Sequence, residues 1–310
     1  MADPEWAQLD LVEPGVSVVV PHYGSPAPAV ALLHTLQRQR TSRRLQLIVA
    51  DDASPEPFPE LSGVTVVRHE RNGGFGTTVN AGAKLAEYPW LLVLNSDLEI
   101  DDDFVERLTA EAAPWMPAVI GPRIVDLDGI DDWSGRYFPT IRQQTTEWLV
   151  PLARWRSMPS LHRAVGHDTD CHAGAVRLVD WLMGAALLLP TAEFRAVGGF
   201  DEGYFMNSEE VDLQRRLRDL SVPSVYIGTV AATHAGGGSS DPSRRRHWLV
   251  SSRLRYAEKW GGLRRLQVAL SAATMANLAW NGGRRLLGRP LQPLATAAFE
   301  FGLIWRREAP

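Results

Sequence analysis

Three hundred and ten residues, 45% of them hydrophobic, suffice for one large packed domain or a domain with an appendage, which excludes a chain dominated by disorder. The single Cys171 excludes an internal disulfide and the longest aliphatic run, Leu182 to Leu189, is too short to cross a bilayer. With no charged-then-apolar leader at its start, the chain is expected in a reducing cytoplasm. The net charge of −4 hides an asymmetry: residues 244–310 hold 13 Arg or Lys against 3 Asp or Glu, and the other 243 hold 19 against 33.

From the N-terminal side, Val16 to Val20 is a β-branched run that predicts a strand, Pro28 to Gln39 has helical apolar spacing, and Leu45 to Ala50 and Val64 to Arg68 predict two more strands. A helix is expected over Gly76 to Glu87, a strand over Trp90 to Leu94, a helix over Asp101 to Ala113 and a strand over Val119 to Pro122. Strands alternating with helices predict an α/β fold with a doubly wound, mostly parallel sheet and a Rossmann-like nucleotide-binding half. Asp126 to His172 reads as loops around one amphipathic segment near Glu147 to Arg156, to which periodicity assigns no task. Trp181 to Leu189 predicts a strand, Ser208 to Asp219 a helix and Ser224 to Ile227 a late strand. The simplest partition is a catalytic-size domain over 1–243 and a basic, aromatic helical extension over 244–310. The extension's Trp248, Tyr256, Trp260, Trp280, Phe299, Phe301 and Trp305 lie among arginines, a mixture suited to an anionic membrane surface or nucleic acid, or to inward packing of the rings.

The strand at 90–94 delivers Asn95-Ser96-Asp97 to the sheet edge where ligands of parallel sheets bind. Asp97 there can hold a divalent metal against a diphosphate, or cap the helix that follows. The first strand ends in Pro21-His22-Tyr23 and the second in Asp51-Asp52-Ala53-Ser54, opening on the same edge. Asp51 can accept from the imide N–H of uracil or thymine, or cap a turn. Arg71-Asn72-Gly73-Gly74-Phe75-Gly76 follows the third strand, so its backbone N–H groups could approach phosphate with Arg71 adding charge; a plain glycine-rich turn explains it as well. Glu209, Glu210 and Asp212 begin a helix, either as partners of its dipole or with one of them as a general base. His234, ahead of Gly236-Gly237-Gly238-Ser239, is a candidate metal ligand or an ordinary loop histidine.

Together these residues resemble inverting family 2 of the glycosyltransferases, of GT-A fold, over roughly residues 15–240. The resemblance places the nucleoside at Pro21, Tyr23 and Asp51. It matches Asn72, Gly74, Phe75, Gly76, Asn80 and Gly82 to the family's Asn-x-Gly-aromatic-Gly-x-x-x-Asn-x-Gly stretch. The family's Asp-x-Asp metal motif corresponds to Asn95, Ser96 and Asp97, with Asn for the first acid, and its late metal-binding His to His234. The acid pair whose second member is the base corresponds to Glu209 and Glu210, Glu210 being one methylene longer than the family's Asp. By the same resemblance Glu209, Trp181, Met183 and Gly184 lie on the acceptor side, although the last three could equally be core.

What the resemblance implies is a metal-dependent (Mg²⁺ or Mn²⁺), inverting transfer of a sugar from a dTDP or UDP donor to a lipid-linked or cell-envelope glycan, with L-rhamnose from dTDP-L-rhamnose the first choice. The enzyme would be peripheral on the inner membrane face through its extension. Transfer from a UDP-hexose (galactose or N-acetylglucosamine) and an inactive sugar-nucleotide binder stay open, the latter because of the Asn and Glu replacements. Nucleic acid is disfavoured as a partner because the domain carrying the ligand-type loops is acidic.

Overall fold

The computed structural model describes residues 15–155, 158–235 and 241–305; Arg156 and the Gly236–Ser239 run singled out above lie outside them. The first half reads β1 (Val16–His22), α1 (Ala27–Gln37), β2 (Leu45–Asp51), β3 (Val64–Arg68), α2 (Phe75–Lys84), β4 (Trp90–Leu94), β5 (Leu98–Glu99), α3 (Phe104–Ala112) and β6 (Val119–Val125). The second reads β7 (Gly135–Arg136), α4 (Ile141–Trp148), α5 (Pro159–Ala164), β8 (Val176–Val179), β9 (Trp181–Leu182), β10 (Ala186–Pro190), α6 (Thr191–Ala196), α7 (Glu209–Asp219) and β11 (Ser224–His234). Three helices close the chain: α8 (Pro242–Trp260), α9 (Leu263–Leu286) and α10 (Pro293–Trp305).

The main sheet has the order β3-β2-β1-β4-β10-β6-β11-β5, with β8 also on β11. Its first four strands are parallel, as are β6 and β11; β10 runs antiparallel to both β4 and β6 and joins the two blocks. Period-2 alternation divides the core between the two faces. Val16, Val18 and Val20 pack with Leu92 and Leu94 under α1 and α3, whereas Val19 packs with Leu91 and Val93 under α2, α6 and α7. The sheet is therefore doubly wound, as the sequence predicts.

Two segments differ from the sequence expectation. The apolar run from Trp181 is broken at 183–185, because Trp181 and Leu182 pair with β7 in a separate ribbon and only Ala186–Pro190 enters the main sheet. The 126–172 segment holds α4, capped reciprocally by Thr140 and Gln143, a 3₁₀ turn at Val150–Trp155 and α5. α4 is locked to α9: Trp148 Nε1 donates to Thr274 Oγ1 at 2.8 Å, and Asn277 bonds the Trp148 carbonyl at 2.9 Å and the Val150 N–H at 2.8 Å. Trp148 shares a third core with Val250 of α8, Leu266 and Leu270 of α9 and Ile304 of α10.

Candidate active site

The C-terminal ends of β1, β2 and β4 bring Tyr23, Asp51 and Asn95 to one edge. Tyr23, 59% exposed, stands free beyond Pro21 as a surface for stacking. Asp51 is fully buried and accepts from the N–H of Ser54 (2.9 Å), the N–H of Phe58 (3.2 Å) and the Arg68 guanidinium. Burial alone would raise its pKa, but these donors outweigh burial and hold it below the usual carboxylate value. The neighbouring Asp52 accepts from the N–H groups of Gly73 (2.7 Å) and Gly74 (2.9 Å) and lies 3.2 Å from His69 Nδ1.

That arrangement corrects the reading of the glycine-rich loop. The N–H groups expected to meet phosphate are spent on Asp52, and Asn72 Oδ1 adds a second acceptor for Gly74 N at 3.2 Å. Gly74 sits at φ +82°, where a Cβ would overlap the Phe205 carbonyl that accepts from Phe75 N. A Cβ on Gly76 would come 2.9 Å from Phe200, and one on Gly82 2.5 Å from Val19. Asn80 is buried and spans the Phe200 main chain, donating to its carbonyl (2.9 Å) and accepting from its N–H (2.8 Å). So Gly74 and Asn80, expected on the nucleotide sugar, here brace the 199–205 loop that leads to the acid pair. Arg71 is exposed and makes no hydrogen bond or ion pair with other described residues, which leaves its guanidinium available to a diphosphate.

Beyond β4, Asn95 N donates to the Ala185 carbonyl at 2.8 Å, and the side chains of Asn95 and Ser96, both half-buried, make no hydrogen bond with other described residues. β5 then pairs with the end of β11, Leu98 opposite His234, and so carries His234 to Asp97. Imidazole Nε2 lies 3.3 Å from Asp97 Oδ1, and Nδ1 lies 3.8 Å from Oδ2 of Asp132, a residue the sequence did not mark. Asp132 and Asp97 together raise His234 to about 9, and the bond to His234 lowers Asp97. No group of three metal-ligating side chains occurs among the described residues. The Asp97–His234 pair nevertheless suits two positions in an octahedral shell, where adjacent ligands at about 2.1 Å from the ion sit about 3 Å apart. A divalent ion would replace the proton that the two carboxylates now hold on His234, with Asp132 orienting the ring and diphosphate and water completing the shell.

The acid pair occupies strained ground. Asn207 and Ser208, both non-glycine, adopt φ +73° and +67° immediately before α7, and Ser208 does not cap it. Glu209 and Glu210 each keep one buried carboxylate oxygen without a partner among the described residues. Burial raises both pKa values; Glu210 raises Glu209 further, whereas Arg136 draws Glu210 back down. Two adjacent carboxyls in low dielectric cannot both ionise freely, so Glu209, the more strongly raised, holds a proton the more readily and Glu210 is the one that ionises first.

Two connections join Glu210 to the Asn95–Asp97 turn. An ideal Cβ on Gly184 would stand 3.6 Å from Glu210 Cβ, while the next residue, Ala185, holds Asn95. Arg136 donates to the Asp132 carbonyl at 3.3 Å and shares with Glu210 a cavity of about 230 Å³. Trp181 lines that cavity, its Nε1 donating to the Tyr137 carbonyl at 2.9 Å and the Arg136 guanidinium 5.3 Å from its ring. The structure thus groups Gly184, Trp181 and Glu210 on one side and Asp97 with His234 on the other.

A family model described as glycosyl transferase family 2 matches residues 17–175. N-acetylglucosaminyl-diphospho-decaprenol L-rhamnosyltransferase of Mycobacterium tuberculosis is 29% identical over 250 residues, 75% of this chain and 80% of that relative. Rhamnosyltransferase WbbL of Escherichia coli is 29% identical over 129 residues, 41% of this chain and 45% of that relative. GalNAc-T7, solved with UDP, GalNAc and Mn²⁺, superposes at a TM-score of 0.55 and 14% identity over 84% of this chain, which spans 55% of that structure. S. aureus TarS 1–349 with UDP-GlcNAc gives a TM-score of 0.51 at 16% identity, over 84% of this chain and 71% of its own.

Proposed function

The chain belongs to glycosyl transferase family 2 and has the GT-A glycosyltransferase fold, and on that premise we propose that it moves L-rhamnose from dTDP-L-rhamnose to a hydroxyl of a lipid-linked glycan with inversion at the anomeric carbon. The observation that carries the reading is the Glu209–Glu210 pair on the strained entry to α7, Glu209 buried and Glu210 half-buried on a cavity that the Asp97–His234 pair does not line. The rhamnose choice draws on the two rhamnosyltransferase relatives, and the lipid-linked acceptor on the name of the first.

Glu210 takes the proton of the attacking hydroxyl as its oxygen bonds to the anomeric carbon and the bond from that carbon to the diphosphate breaks. Glu209, retaining its proton, can donate to the acceptor sugar. Mg²⁺ or Mn²⁺ on Asp97 and His234 would offset charge on the departing diphosphate, and Arg71 would do the same. Tyr23 offers a ring to the base and Asn95 and Ser96 offer polar groups to the donor sugar. The basic extension would hold the enzyme on the inner face of the membrane. No described helix is long and apolar enough to cross one.

The test is a product assay with a nucleotide-sugar panel and a lipid-diphosphate glycan, run beside Glu210→Gln. That variant should lose transfer by about 10² or more while still binding dTDP. Because burial raises Glu210 and only its ionised form accepts a proton, the acid limb of kcat/KM should fall at a higher pH than an ordinary carboxylate gives. Near-normal turnover would move the role to Glu209, and a clear preference for UDP-galactose or UDP-N-acetylglucosamine would overturn the choice of sugar.

A further inference from the structure

The cavity beside Glu210 is more charged than a site for a neutral sugar requires. Arg136, Glu147, Glu210 and Arg253 line it, with Tyr137, Trp181 and Tyr256 as its rings. Arg253 is matched, since its guanidinium bonds Glu147. Arg136 is not matched in that way. Its hydrogen bonds go to the carbonyls of Trp133 (3.1 Å) and Asp132 (3.3 Å), with Met183 sulfur at 3.7 Å, and no described carboxylate forms an ion pair with it. Carbonyl dipoles orient a guanidinium but do not neutralise it, and a half-buried cation without a counter-ion gives up hydration that nothing returns. Burial accordingly pulls Arg136 below its ordinary pKa, with Glu147, Glu210 and Asp132 opposing only through space.

We propose that Arg136 is the acceptor's anion subsite, taking a phosphate oxygen of a sugar linked through a diphosphate to a lipid. The inference rests on the reading of Glu210 as the base. The attacking hydroxyl must reach Glu210, so the rest of the acceptor occupies the same cavity, with a sugar ring against Trp181 and its phosphate on the guanidinium across that ring. The donor's diphosphate, by contrast, departs toward Asp97 and His234, which do not line this cavity. A planar guanidinium can fork two phosphate oxygens, where Lys would supply only a point charge.

The probes are N-acetylglucosamine carried on an alkyl diphosphate and its uncharged octyl glycoside. Arg136→Met should reduce the kcat/KM preference for the charged over the neutral acceptor by roughly tenfold to a hundredfold, the range for a lost charge-assisted hydrogen bond, and Arg136→Lys should restore part of it. An equal loss with both acceptors overturns the proposal, because a merely structural arginine would not discriminate. A loss confined to donor KM overturns it as well, since Arg136 would then serve the nucleotide. Calorimetry of the alkyl diphosphate sugar with the nucleotide-saturated protein separates this inference from the transfer reading. Binding that weakens tenfold or more in Arg136→Met supports the subsite even if the wild-type chain transfers no sugar, and equal binding by both removes it. Circular dichroism melts of the two variants confirm that folded proteins are compared.

Discussion

Two adjacent aspartates show how residue type underdetermines role. Asp51 and Asp52 are consecutive at the end of β2, so their side chains leave opposite faces of the strand. Asp52 ties down the Gly73–Gly74 loop, while Asp51 is braced by Ser54, Phe58 and Arg68 at the edge beneath Tyr23. Arg68 is the one charged donor among these partners and is more than a third exposed, so a pyrimidine imide N–H could take its place on Asp51 Oδ2. Cytosine would set an acceptor against the carboxylate, and an unsatisfied buried polar pair costs about 1–3 kcal/mol, roughly tenfold to a hundredfold in affinity. Calorimetry with Mg²⁺ should therefore rank dTDP and UDP above CDP by that margin. CDP binding as tightly as dTDP would remove Asp51 from base recognition. Asp97, His234 and the Glu pair were legible because each sits at a strand or helix end, where local pattern predicts position. Asp132 and Arg136 were not, since they lie in a stretch without periodicity and acquire meaning only from the ribbon of β7 and β9.

Among the elements, α8 departs most from what composition implies. A boundary at 243 makes it the start of an appendage, yet its far end is fastened to α7. Lys259 bonds both Asp201 and Asp212 at 2.9 Å, and Trp260 Nε1 bonds Asp212 at 2.9 Å. Asp212, fully buried, also holds Arg216 at 2.8 Å. The third acid of α7 thus serves as the joint between the GT-A core and α8, not as a dipole partner alone. The rings of α8 follow: Trp248 packs on Phe205 with centroids 5.0 Å apart and Tyr256 is buried, so neither faces lipid as the arginine-rich composition suggested. Asp212→Ala would leave Arg216 partly buried without its anion and Lys259 with Asp201 alone, and should cost about 3 kcal/mol of unfolding free energy, the low end for breaking a buried pair. Urea denaturation measures it, and a loss below about 0.5 kcal/mol would mean that α8 is held elsewhere. The break within Trp181–Leu189 was illegible for a related reason. An uninterrupted apolar run has no period, so it cannot reveal where the chain leaves one sheet for another.

At the scale of the molecule, the charge asymmetry resolves into a single prominent tip. Between α9 and α10, Leu286, Leu287 and Leu294 are 90%, 85% and 76% exposed, with Arg284, Arg285 and Arg289 beside them. Three nearly bare leucines among arginines are out of place against water, and they complement an anionic bilayer, where leucine enters the acyl boundary and arginine meets phosphate. Trp280, Phe299 and Trp305, each about two-fifths exposed, extend the same helix pair with amphipathic rings. Deleting α9 and α10 would be a poor test, because it would also strip Trp148 of Thr274, Leu266 and Ile304. The double variant Leu286→Ser, Leu287→Ser changes only exposed side chains. Burying one leucine contributes about 1.5–3 kcal/mol. Even partial insertion of two therefore predicts a loss of roughly tenfold or more in flotation on vesicles rich in anionic lipid. Raising salt from about 0.1 M to 1 M shortens the screening length from about 10 Å to 3 Å and should weaken the arginine contribution independently. The two effects ought to add, since one acts on apolar transfer and the other on charge. If the double variant floats as well as the parent at both salt concentrations, the tip does not touch lipid and the exposed leucines must be covered by something else.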